Sequence, residues 1–129
     1  MTRILFAFGL TAAFQILGCR SAPEASSSTY ATRSSAGEVS FALTPRMEGT
    51  RLIVNVHSDT HSGDLAEIDL AKAFTLEVAE KPYKPAESRR LGGHHSDGFV
   101  AFEVGSAPSR FSLTISGVRS LGEVKLQWP

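Results

Sequence analysis

The chain has little of what usually staples, charges or equips a small domain. In 129 residues it holds one cysteine, two methionines and one tryptophan, and 13 basic side chains balance 13 acidic ones. A lone cysteine excludes an internal disulfide, so the folded part must stand on its core. Met1 and Met47 are too few for a thioether copper(I) site. The charge balance gives no steering field for nucleic acid, which is not expected as a partner. The sequence has no HExxH, no GxSxG, no glycine-rich phosphate loop and no carboxylate pair in a recognisable setting, so no enzymatic activity is expected.

What is present begins with "MTRILFAFGLTAAFQILGC", where Arg3 precedes an apolar stretch over residues 4–17 and Gly18 precedes Cys19. As a helix that stretch reaches about 21 Å, short of the roughly 30 Å hydrocarbon core, so residues 1–18 read as a secretory signal and not as a span. The ending "ILGC" resembles the lipobox of bacterial lipoproteins. The resemblance implies cleavage before Cys19, a diacylglyceryl group on its thiol, and a membrane as partner through that lipid. Two or three acyl chains, at about 0.8 kcal/mol per buried methylene, would hold the protein on the bilayer essentially permanently. The family associates Asp in the next position with inner-membrane retention; Arg20 stands there, so a lipid anchor in the outer membrane is favoured. Loss of residues 1–18 removes one arginine and leaves 12 basic against 13 acidic side chains.

Residues 20–37, "RSAPEASSSTYATRSSAG", are rich in Ser and Ala without an apolar period. With Cys19 they read as a flexible linker, 19–37, whose ends as a random coil lie roughly 20–25 Å apart. Residues 38–129 read as one domain with a period of two. Val39/Phe41/Leu43, Leu52/Val54/Val56, Phe74/Leu76/Val78, Val100/Phe102/Val104, Phe111/Leu113/Ile115 and Val124/Leu126/Trp128 each alternate with polar or small residues. Between them "PRMEG", "SGD", "EKPYKPAE", "GGHHSDG", "GSAPS" and "SGVRSLG" carry turn residues. The pattern predicts an all-β antiparallel sandwich of the immunoglobulin or fibronectin type III kind, with six or seven strands. Residues 65–73, "LAEIDLAKA", fit a helical turn and an extended edge equally well. Trp128 reads as a core anchor of the last strand with its indole N–H at the rim.

Potential ligands concentrate in "NVHSDTHSGDL", with His57, Asp59, His61 and Asp64, and in "GGHHSDG", with His94, His95 and Asp97. Imidazole and carboxylate suit zinc or copper(II). If the strand runs past Val56, His57, Asp59 and His61 share the face opposite the core; a turn at Ser58 destroys that alignment. His94 and His95 point to opposite faces of a regular strand unless Gly92 and Gly93 bend it. The competing reading is that Gly92 and Gly93 supply positive φ, and that His61 or His95 pins a loop to a backbone carbonyl or to Asp64 without any ion. Arg89 and Arg90, beside Glu87, read as a solvated turn and not as an anion clamp.

"DTHSGDL" and "GGHHSDG", with "FVAFEV" and a terminal aromatic strand, resemble a family of small prokaryotic extracytoplasmic domains that pair a THSxDL loop with a GGHHxxG loop. The similarity spans residues 52–102 and Trp128. The matching residues are Thr60, His61, Ser62, Asp64, Leu65, Gly92, Gly93, His94, His95 and Gly98; Gly63 departs, standing where the family has a branched apolar residue. That family has no assigned function, and metal binding in it rests on these same histidines. The resemblance implies that the loops meet at one end of the sandwich. His61, Asp64 and one of His94 or His95 are then the candidate ligands, with His57, Asp59 and Asp97 in reserve. The sequence thus supports a tethered binding module of the cell envelope, for zinc or copper through the two loops. Its rival is a structural or protein-interaction module, with an envelope protein as partner, whose histidines only brace loops.

Overall fold

The computed structural model describes residues 30–119 and 121–129. The leader, Cys19 and the linker up to residue 29 lie outside them. The strands are β1 (Arg33–Ser35), β2 (Val39–Glu48), β3 (Arg51–Thr60), β4 (Phe74–Val78), β5 (Lys81–Tyr83), β6 (Glu87–Arg89), β7 (His95–Glu103), β8 (Phe111–Ile115) and β9 (Val124–Trp128). They form two antiparallel sheets, ordered β1-β2-β3-β7-β6 and β5-β4-β8-β9. The all-β sandwich expected from the period of two is therefore what the chain builds, with nine strands among the described residues where six or seven were expected. Phe41, Leu43, Leu52 and Val54 from one sheet meet Phe74, Leu76, Leu113 and Ile115 from the other, each no more than 1 % exposed. At about 1.5–3 kcal/mol for each such side chain, this interior holds the layers together without a disulfide.

The linker expectation needs correction at its end. Residues 20–37 read as a tether, yet β1 lies within that span and pairs Arg33 with Leu43 and Ser35 with Phe41. Three residues are too few to display a period, and the strand is held mainly from outside itself. Tyr30 packs edge-on against Phe111, with centroids 4.9 Å apart, and its hydroxyl donates to the Pro108 carbonyl at 2.8 Å. The Tyr30 amide donates to the Pro45 carbonyl, so the chain joins the fold level with Pro45 and climbs β1 towards Ser35.

"PRMEG" is not the first turn. β2 continues through Pro45 to Glu48, and Gly49 and Thr50 alone close the hairpin, Gly49 at φ +60°. A proline is tolerated there because the β1 ladder has already ended at Leu43. Of the two alternatives for residues 65–73, the helical turn is the one formed, and not the extended edge. These residues make a 3-10 turn (Leu65–Glu67) and a one-turn helix α1 (Leu70–Ala73), N-capped by the carboxylates of Asp64 and Asp69. Leu65, Leu70 and Ala73 are their buried residues.

Candidate functional site

The decisive local fact is how far two strands run. β3 does not turn at Ser58 but continues to Thr60, and β7 starts at His95, inside what reads as a glycine turn. Both strands therefore carry the tripeptide His-Ser-Asp, residues 57–59 and 95–97. In antiparallel pairing a repeated tripeptide is self-complementary: His57 stands opposite Asp97, Ser58 opposite Ser96 and Asp59 opposite His95. Alternation puts both serines on the inner face, where Ser58 donates to the Ser40 carbonyl and Ser96 accepts from the Gly92 amide. All four titratable side chains fall on the outer face.

They form one chain of contacts. The Nδ1 of His57 meets Asp97 Oδ1 at 2.7 Å, its Nε2 lies 3.3 Å from Asp59 Oδ2, and the Nδ1 of His95 bonds Asp59 Oδ1. A carboxylate only accepts, so Nδ1 donates in both rings, and Nε2 is the lone-pair nitrogen whenever a ring is neutral. The Asp97 hydrogen bond raises His57 above its ordinary value of 6.5. The His95 hydrogen bond, and then the charges of the two rings, lower Asp59 below its ordinary 3.8.

The two motif loops do meet at this end, but through main chain and one carboxylate. The Thr60 amide donates to the His94 carbonyl and the Leu65 amide to the Gly93 carbonyl, both at 2.9 Å. Asp64 Oδ1 accepts from Ala66 N at 2.8 Å and Gly93 N at 2.9 Å, and these two bonds lower its pKa. Of the glycine pair only Gly93 needs positive φ, at +68°; Gly63, the departure from the family pattern, sits at φ +79° with no neighbour for a Cβ to touch. Gly98 is required for another reason: a Cβ there would stand 2.6 Å from the Arg89 carbonyl.

The fold thus separates the sequence candidates. His57, Asp59, His95 and Asp97 converge on the outer face, Asp64 braces the loops, and no hydrogen bond or ion pair joins His61 or His94 to the four among the described residues. Also among the described residues, no three His, Cys, Asp or Glu side chains surround a common point as a ready ion cage. The three reserve candidates, with His95 of the first set, turn out to be the organised ones, and the signal that would have found them is the repeated tripeptide. Arg89 is exposed, but it lies on the strand β6 opposite Phe99 and not in the turn expected of it. Behind the strand end, a cleft of about 490 Å³ is lined by four carboxylates, Glu38, Asp64, Glu67 and Asp69, and two cations, Lys72 and Arg119, among others.

These shifts predict how stability depends on pH. His57 binds its proton more tightly when folded, so its contribution is complete below 6.5 and is lost as pH rises through its folded value. Asp59 and Asp64 are shifted the other way, so theirs is complete above 3.8 and lost as pH falls through their folded values. Melting temperature in chelator-treated buffer is expected to peak between those limits. Asp97→Asn is expected to flatten the alkaline limb and leave the acid limb unchanged. Compared with protein-family models, curated proteins and solved structures, the chain matches none.

Proposed function

We propose that the protein is a lipid-tethered, non-catalytic binding module of the cell envelope, anchored through Cys19, that holds the histidine–aspartate end of its five-stranded sheet away from the bilayer. One observation carries the reading. The tether joins the sandwich level with Pro45, whereas Asp59 is level with Ser40 and His57 with Ala42. At about 3.3 Å per residue the two histidine–aspartate pairs stand roughly 10–17 Å further from the attachment point along the strands. The THSGDL and GGHH loops support the same reading as braces: Asp64 ties both loops together and fixes the ends of β3 and β7. An anchor in the outer membrane, as Arg20 favours, leaves the face open to an envelope protein or a small ligand.

The test is fractionation of cells expressing the full chain. Cys19→Ser is expected to move the protein from the membrane to the soluble fraction and to abolish labelling by a radioactive fatty acid. A variant that stays membrane-bound, or a wild type that takes up no label, would refute the tether.

A further inference from the structure

We propose that the paired His-Ser-Asp tripeptides hold a divalent transition-metal cation, zinc or copper(II), between His57 Nε2 and Asp59 Oδ2. The proposal deepens the reading of a distal binding face and rests on it for its biological setting. Three features of the face carry it. First, the two atoms are 3.3 Å apart, longer than a good N–H···O bond. A tetrahedral ion with bonds of about 2.0–2.1 Å separates neighbouring ligand atoms by about 3.3–3.4 Å.

Second, each ligand is already oriented from behind. Asp97 accepts the hydrogen bond from His57 Nδ1–H, which turns the Nε2 lone pair towards Asp59 and adds to the basicity of the ring. His95 holds the other oxygen of Asp59 and leaves Oδ2 directed at His57. Histidine ligands in proteins commonly carry such a carboxylate behind them. Third, the ligands come from residues two apart on one strand, and their outer partners come from the neighbouring strand in fixed register. No backbone movement is needed to admit the ion. Binding sends to the buffer whatever proton His57 Nε2 carries.

Two protein donors leave the remaining coordination positions to water or to a donor group of another molecule, so the site is open and weaker than a closed structural one. Imidazole as a donor selects zinc or copper over magnesium and calcium, which favour all-oxygen sites. His61, Asp64 and His94 take no part.

The experiment is calorimetric titration of Zn²⁺ into the full chain, made without a histidine tag and kept in detergent. Binding of a single ion per chain is expected, with no heat from Mg²⁺. His57→Ala and Asp59→Ala are each expected to abolish it. Asp97→Asn and His95→Ala are expected to weaken it about 10- to 100-fold, as loss of an outer partner does. His61→Ala and His94→Ala are expected to bind like the wild type. Melting curves in chelator separate loss of the ion from loss of the fold. Independently of any variant, paramagnetic resonance of bound Cu²⁺ is expected to show coupling to imidazole nitrogen. Absence of Zn²⁺ binding, an equal response to Mg²⁺, retained binding in His57→Ala, or copper spectra without nitrogen coupling would overturn the proposal. Membrane release of Cys19→Ser is scored separately, so failure of the ion site and failure of the tether cannot be confused.

Discussion

Trp128→Ala is expected to remove about 3–5 kcal/mol of folding stability, as truncations of large buried aromatics do. The ring is 2 % exposed and stacks on Phe111, with centroids 5.0 Å apart and planes 10° from parallel. Its indole N–H donates to the Ala31 carbonyl at 2.7 Å. One side chain therefore joins the last strand, the interior and the segment leading into β1. A domain of this size has only about 5–15 kcal/mol in total, so the variant should be largely unfolded at modest denaturant. Trp128→Phe keeps much of the stacking and loses the hydrogen bond, so a smaller loss, about 1–2 kcal/mol, is expected. Urea unfolding checks both, and limited proteolysis should find cleavage near Tyr30 in the alanine variant first. A loss below about 1 kcal/mol for alanine would show that β1 is held by its ladder alone.

The second large effect comes from adding atoms. Gly98 lies opposite Val56 and faces the interior, where a Cβ would meet the Arg89 carbonyl at 2.6 Å, Leu91 Cδ2 at 2.9 Å and Leu70 Cδ1 at 3.3 Å. Leucine side chains can yield by rotation, but a main-chain carbonyl in a neighbouring strand cannot. Gly98→Ala is expected to destabilise by about 2–3 kcal/mol through overpacking. It should also shift Asp97, the next residue, and so weaken Zn²⁺ binding without touching a ligand. Gly63→Ala makes the contrast: the added Cβ meets nothing, and only the φ of +79° penalises it, so about 1 kcal/mol is expected. Equal losses in the two variants would show that backbone strain dominates at both positions.

Much of this architecture was legible in the residues. All six alternating segments became strands, because a half-buried strand writes its face into every second residue. β1, β5 and β6, three residues each, display no period, and their pairing depends on neighbours distant in sequence. The turn residues misled twice. Pro45 and the GGHHSDG run look like interruptions, yet β2 and β7 extend into them because cross-strand partners supply the hydrogen bonds. For the site, histidine density drew attention to the loops. Which imidazole meets which carboxylate depended on the register of β3 with β7, and the two copies of His-Ser-Asp encode that register without revealing that their strands are neighbours.

The way β1 joins the sheet has a mechanical consequence. The strand climbs from Tyr30 along β2, and its ladder to β2 runs across that direction. Were the proposed anchor and a partner at the far pole to pull against each other, the rungs would be loaded side by side, in shear, and would not peel open in succession. The aromatic clasp of Tyr30, Phe111 and Trp128 lies at the point where that force first reaches the domain. Under that proposed load, a short edge strand, weak against unzipping, would be held in the orientation in which it resists tension best.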